Sequence, residues 1–186
     1  MTAATIKPRS RRRAHLMLAA LSTCGLAALA WVSFVTPSAH VVYNPSNSVP
    51  VGWYRIEPIN PPADPLHVGS IVLARLPAEP AALAAQRGYL PSHIPLLKRI
   101  GAVAPQHVCI ANGVVRIDGV LVAAVLRADR LGRPLPFWSE CRALAEGELF
   151  LLSVTNPASF DSRYFGPIAA SSVIGTAQPI YLGKQP

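Results

Sequence analysis

Residues 108–125, VCIANGVVRIDGVLVAAV, decide the fold class. Three short apolar runs are separated by Asn112-Gly113 and Asp118-Gly119, dipeptides that accept positive φ at both central positions of a tight hairpin turn. The pattern predicts a three-stranded antiparallel meander. Similar short apolar runs recur outward from it, at 52–56, 70–76, 96–103, 148–154 and 173–180, beside 108–110, 114–117 and 121–125 within the stretch itself. Nineteen prolines punctuate the chain and argue against a helical bundle. The best short helix beyond residue 40 is 80–87, with Pro80 suited to a first helical position, and 130–140 has the composition of a surface loop. With no internal repeat and no second boundary, the expectation is one mainly β, antiparallel domain of roughly 150 residues.

The 186-residue chain is 51% apolar and 14% charged, and its apolar excess is concentrated in residues 16–35, LMLAALSTCGLAALAWVSFV. Twenty uncharged residues in a helix span about 30 Å, the thickness of a bilayer's hydrocarbon core. Lys7, Arg9, Arg11, Arg12 and Arg13 precede this run and the next charge after it is Arg55, so the basic flank is expected to stay cytoplasmic. The organisation read from this is a basic cytoplasmic arm at 1–15, a single transmembrane anchor at 16–35 and an exported β domain at 36–186. Without those five cations the chain carries 12 basic and 9 acidic residues, a balance too mild for a nucleic-acid footprint. A retained anchor is preferred over a cleaved signal, because the run exceeds an ordinary h-region and Pro37-Ser38-Ala39 is a poor small-x-small site. Cys24, inside the run, reads as a small apolar residue and not as a lipid attachment site. Cys109 and Cys141 fall in the exported part, where an oxidising compartment permits a disulfide worth about 3 kcal/mol, although sequence does not place them together. No cofactor or metal is expected: there is no CxxC, and no histidine stands at ligand spacing from either cysteine.

Three stretches combine polar side chains with apolar surroundings: 44–54 NPSNSVPVGWY, 95–101 PLLKRIG and 159–166 SFDSRYFG. In the second, strand alternation sends Lys98 and Arg99 to opposite faces, so one of them points inward or finds a partner. Burial disfavours an ammonium and can leave a neutral amine able to accept a proton, which a guanidinium cannot do. Lys98 is therefore the candidate general base, and Arg99 a surface or ion-pair residue. Ser48 is a weak nucleophile until a base takes its proton, and a Ser-Lys pair is one known arrangement. Taken alone, Ser48 reads equally as a turn serine and Lys98 as a lysine snorkelling at a strand edge. Nothing in sequence singles out His15, His40, His67, His93 or His107 for a Ser-His-Asp triad. Trp53 and Trp138 suit either core packing or the lipid interface.

In this order the three stretches resemble the boxes of the membrane-bound type I signal peptidases, most closely the TraF-type peptidases of conjugative transfer systems. The serine box is similar to Ser46-Asn47-Ser48-Val49-Pro50, the lysine box to Leu97-Lys98-Arg99-Ile100, and the last box, the most specific, to residues 159–166. The resemblance implies a type I signal peptidase β fold, Ser48 as acyl-forming nucleophile and Lys98 as general base. It further implies Ser159 as the hydroxyl orienting the lysine amine, Asp161 and Arg163 as a supporting ion pair, and an oxyanion hole made by the Ser46 hydroxyl and the Ser48 N–H. Leader-peptidase relatives place two residues between nucleophile and proline; here Val49 alone separates Ser48 from Pro50, the TraF-type spacing. Gln106-His107 stands where many relatives carry a Gly-Asp pair.

The implied activity is a serine endopeptidase of the bacterial inner membrane, catalytic domain on the periplasmic side, whose partner is an exported precursor such as a conjugative pilin precursor, released by hydrolysis or cyclised. The rival expectations are a general type I signal peptidase acting on secretory preproteins, and a non-catalytic assembly module of a secretion apparatus. A self-cleaving Ser-Lys repressor shares the chemistry, but the chain offers a membrane span where a DNA-binding element belongs.

Overall fold

The computed structural model describes residues 8–34, 40–59 and 66–183. Lys7, the Arg9 side chain, Val35 and Pro37-Ser38-Ala39, on which parts of the anchor and cleavage-site expectations rest, lie outside the described residues, as do the limits drawn at 35 and 36. The chain divides between residues 38 and 39 into two units.

The first unit holds helix α1, Pro8–Phe34. Its Arg11–Trp31 portion is long and apolar enough to cross a membrane. Near its middle the Thr23 hydroxyl bonds back to the Ala19 and Ala20 carbonyls at 3.0 and 2.9 Å. Cys24 is unpaired on the helix surface.

The second unit is built from antiparallel strands. One sheet contains β1 (His40–Asn44), β2 (Gly52–Pro58), β3 (Ile71–Ala74), β4 (Leu96–Val103), β9 (Glu148–Leu151), β10 (Ile168–Ala169) and β11 (Val173–Leu182), in the order β1-β2-β11-β3-β4-β9-β10. The smaller sheet is β7-β6-β5-β8, from β5 (His107–Ala111), β6 (Val114–Ile117), β7 (Val120–Ala124) and β8 (Cys141–Ala143). The meander at 108–125 forms as its turns dictate: Asn112 and Gly113 have φ of 54° and 75°, and Asp118 and Gly119 of 50° and 82°, the doubly positive geometry of a type I′ hairpin. Cys109 and Cys141, register partners on β5 and β8, are joined by a disulfide.

Strand alternation builds the interior. On β4 the even positions Leu96, Lys98, Ile100 and Ala102 are buried and the odd ones half-buried. Leu96 and Ile100 pack with Val72, Leu149, Leu151 and Ile168, while Ala102 joins Phe150, Leu152 and the inner residues of the small sheet, so β4 and β9 serve two apolar clusters at once. A third cluster, Val49, Tyr54, Ile56, Leu73 and Ala177, lies under the serine-bearing loop.

Several boundaries differ from expectation. The short helix α2 spans Ala78–Gln86 and puts Pro80 third, not first, still within the turn whose N–H groups have no intrahelical partner. β1, β8, β10 and a four-residue helix α3 (Ser162–Phe165) were not anticipated; β1 is mostly exposed, and the others are too short to carry a period. The strand expected over 148–154 stops at Leu151, and Ser153 leaves the ladder to bond Asp161. Gln106 and His107 take up the role of a turn clamp: Asp118 accepts from Gln106 Nε2 at 2.9 Å and from the His107 N–H at 2.8 Å.

Where β11 shifts register against β3, Gly175 lies so close to β2 that a Cβ there would sit 2.4 Å from the Glu57 carbonyl oxygen. Gly175→Ala therefore pushes β11 off β2 and is expected to cost about 1–3 kcal/mol. Chemical denaturation of the purified protein measures this, and an unchanged midpoint would contradict it.

Candidate active site

Ser48 lies in the turn between β1 and β2, and buried side chains hold that turn. Asn44, the last residue of β1, accepts the Ser46 N–H at 3.1 Å and shares its amide among the carbonyls of Ser46, Val49 and Pro50 at 2.8–3.1 Å. The Tyr54 hydroxyl also donates to the Pro50 carbonyl at 2.6 Å. Ser153 Oγ reaches across and donates to the Ser48 carbonyl at 2.8 Å. This is an Asx-type turn whose backbone acceptors are satisfied by side chains, which leaves the Ser48 side chain at the rim of a groove.

Lys98 comes from the buried face of β4 and is 2% exposed. Its Nζ donates to Ser159 Oγ, and Ser159 Oγ lies 3.2 Å from Ser48 Oγ. Thus Ser48, Ser159 and Lys98 form one hydrogen-bonded row, with Ser159 between the other two. Burial pushes the Lys98 amine from its ordinary 10.5 down to about 8; the Asp161 carboxylate opposes the shift and the Arg163 guanidinium adds to it. Arg99 points to the other side and donates to the Gly69 carbonyl at 2.5 Å.

The loop carrying Ser159 is fixed by a fully buried, bidentate pair. Arg163 Nε meets Asp161 Oδ1 at 2.8 Å and a second guanidinium nitrogen meets Oδ2 at 2.9 Å. The remaining guanidinium donors go to the carbonyls of Ala124, Asn156 and Ser159, and Asp161 also caps α3 and accepts the Ser153 N–H at 3.0 Å. Such full satisfaction is what makes a buried charge pair tolerable. Ser162 Oγ accepts the Leu151 N–H at 2.9 Å, tying the box to β9. Gly166, at φ 79°, lies against the Trp138 ring, where a Cβ would approach within 2.8 Å. Trp138 itself packs on Phe150, whereas Trp53 is half-exposed beside Tyr43.

Ser48, Lys98 and Ser159 line a groove of about 810 Å³. Its walls are largely apolar, among them Val42, Leu76, Ile94, Leu97, Leu135 and Phe160, and among the described residues no histidine lines it. The ladder of β4 with β9 begins at Ile100, and the last backbone bond on that side runs from the Leu152 N–H to the Arg99 carbonyl at 3.0 Å. Among the described residues the β9-side edge of 96–98 therefore has no strand partner beside the groove.

The structure brings together five of the six anticipated site residues: Ser48, Lys98, Ser159, Asp161 and Arg163. Ser46 sits at the exposed lip of the same turn with its hydroxyl donated to Asn44 Oδ1 at 2.8 Å. Asn44, Tyr54 and Ser153 escaped the sequence reading. The Asn-Pro-Ser order at 44–46 was a signal for the Asx turn; Ser153, bonded to a residue 105 positions away, gave none.

Two variants separate these contributions. Asp161→Ala leaves the Arg163 guanidinium buried and uncompensated, and is expected to destabilise by about 3–5 kcal/mol in denaturant titration; a loss below about 1 kcal/mol would argue that the pair is dispensable. Because the folded Lys98 amine releases its proton at a lower pH than the unfolded one, the unfolded state binds more protons between about pH 8 and 10.5. Stability is expected to rise through that window by about 3 kcal/mol relative to Lys98→Met. The comparison cancels the buried Tyr54 and Tyr164 hydroxyls, which burial pushes up.

The family model described as "Signal peptidase, peptidase S26" matches residues 13–182. The chain is 32% identical over 148 residues to "Plasmid transfer protein TraF" of Escherichia coli, covering 74% of this chain and 80% of that one. It is 33% identical over 179 residues to "Probable conjugal transfer protein TraF" of Sinorhizobium fredii, with 91% and 92% covered. With "Conjugal transfer protein TraF" of Agrobacterium fabrum the identity is 37% over 151 residues, with 74% and 80% covered. A solved signal peptidase I from Enterococcus faecalis superposes with a TM-score of 0.39 at 19% identity, over 61% of this chain and 97% of that one.

Proposed function

Since the chain belongs to the S26 signal peptidase family, we propose that it is a membrane-anchored serine endopeptidase of conjugative transfer in which Ser48 is the nucleophile and Lys98 its general base. The observation that carries this is the buried lysine whose hydroxyl partner, Ser159, also touches Ser48. With the amine neutral, the row runs from the Ser48 O–H to Ser159 Oγ and from the Ser159 O–H to Nζ, giving the departing proton a hydrogen-bonded route. The Ser48 N–H and the Ser46 hydroxyl, turned away from Asn44, then face the developing oxyanion, where each donor is worth about 3–4 kcal/mol of barrier.

The unpaired edge at 96–98 supports an extended substrate segment added as a strand across the groove. Alternate residues of that segment face the wall, so small side chains are expected at the residue giving the scissile carbonyl and at the one two before it. An apolar helix on each partner would keep both in one membrane and raise their effective concentration. The basic residues at the start of α1 and the Cys109–Cys141 disulfide both favour a β domain on the oxidising, periplasmic side of the inner membrane.

The relatives bear conjugal or plasmid transfer names, which supports a conjugative precursor, and a pilin precursor in particular, as substrate. Co-expression of pilin precursors with the protein, followed by intact-mass spectrometry, tests this. Wild type is expected to yield a shortened product, one water lighter if cyclised. Ser48→Ala and Lys98→Ala are expected to abolish it while remaining folded; normal processing by either would sink the Ser-Lys mechanism. Accumulation of many unrelated preproteins in a deletion strain would contradict a dedicated substrate.

The rate kcat/KM is expected to rise with pH through an inflection near 8, where Lys98 loses its proton, and to level above it. An inflection near 6 to 7 would instead indicate a histidine base.

A further inference from the structure

Ser153 has no part in the roles assigned above, yet it is 2% exposed and both its hydroxyl and its N–H are bonded to residues that frame the site. Its Oγ donates to the Ser48 carbonyl at 2.8 Å and accepts the Asn156 N–H at 3.3 Å, and its own N–H donates to Asp161 Oδ2 at 3.0 Å. It does not line the groove, so it acts through other residues and not on an occupant.

The carbonyls of Ser46, Val49 and Pro50 are held from within the serine loop, by Asn44 and Tyr54. The Ser48 carbonyl is held from across, by the segment that leads to Ser159 and Asp161. Two bonds therefore join the nucleophile residue to the loop of the lysine's partner: Ser48 Oγ to Ser159 Oγ, and Ser153 Oγ to the Ser48 carbonyl. Once Ser48 Oγ bonds to carbon it has no proton left to donate in the first; the second engages only the backbone of Ser48 and can persist unchanged. A planar peptide unit held at its carbonyl also fixes the ψ of Ser48, and with it the direction of the Cα–Cβ bond relative to Lys98. The buried pair references both anchors to one frame, because Arg163 holds the Ser159 carbonyl at 3.1 Å and Asp161 holds the Ser153 N–H.

We propose that Ser153 is a positioning residue for the nucleophile, fastening the Ser48 backbone to the Asp161–Arg163 frame while Ser48 Oγ changes partners. The proposal rests on the assignment of Ser48 as nucleophile.

The test uses the full-length protein in detergent micelles and an internally quenched apolar peptide with alanine at the scissile-carbonyl position and two residues before it. Ser153→Ala is expected to lower kcat about tenfold to a hundredfold, the scale of a misplaced reacting group, with KM changed less than about twofold. Its pH profile keeps the inflection near 8, because Lys98 and Ser159 are untouched, and its melting temperature shows it folded. Ser153→Thr, which restores the hydroxyl, is expected to recover most of kcat; its own melting curve shows whether the added methyl is accommodated. A folded Ser153→Ala protein with wild-type kcat, a loss confined to KM, or a loss that folded Ser153→Thr does not relieve would each overturn the proposal. Cleavage by wild type that depends on Ser48 but ignores Ser153 overturns this inference alone. No cleavage by wild type, or cleavage persisting in Ser48→Ala, overturns the functional proposal and this one with it.

Discussion

A lysine amine sealed among apolar side chains, with a serine hydroxyl as its partner, is the constraint around which the β domain is arranged. Lys98 occupies a core position of β4 between Leu96 and Ile100, where a methylene-rich residue would pack at less cost. Keeping a titratable group there requires a neighbour that satisfies it without neutralising it. Ser159 does so as a neutral partner, whereas a carboxylate in direct contact would have held the amine charged. The Asp161 carboxylate is instead consumed by the Arg163 guanidinium and two backbone N–H groups, those of Ser153 and of Arg163, the latter being the cap of α3. The buried ion pair thus orders the loop while leaving the amine near 8.

The same economy governs the serine turn. A loop exposing Ser48 at a groove must bury several carbonyls against the third apolar cluster, and none of them reaches a strand ladder. Asn44, Tyr54 and Ser153 supply the missing donors. The early end of β9 serves both needs, since it frees the 96–98 edge and releases Ser153 toward the turn. In the proposed mechanism these are one design: the chain that stops pairing with β4 is the chain that positions the nucleophile.

Much of this is legible in sequence where the signal is local. The type I′ turns at 112–113 and 118–119 carry their own φ requirements, and the alternation of β4 requires either Lys98 or Arg99 to face inward. The last box is legible because SFDSRYFG asks more polar residues to be buried together than packing alone would. What escapes is set by distant partners. The apolar run from 148 continues past Leu151, so nothing local marks its end; Ser153 is an ordinary serine until its bond to Ser48 is seen. Ser46 illustrates the limit of resemblance, which supplies an oxyanion donor but not the Asn44 side-chain carbonyl that holds its hydroxyl in the resting turn.

The central claim, that burial brings titration of the Lys98 amine down to about 8 so that it can serve as a base, can be measured without any substrate. The chain has three lysines, Lys7, Lys98 and Lys184, so side-chain NMR of lysine-labelled protein, with Lys98→Arg for assignment, resolves each amine through a pH titration. One signal, lost in Lys98→Arg, is predicted to titrate near 8; a Lys98 signal that stays protonated to about 10.5 would contradict the account.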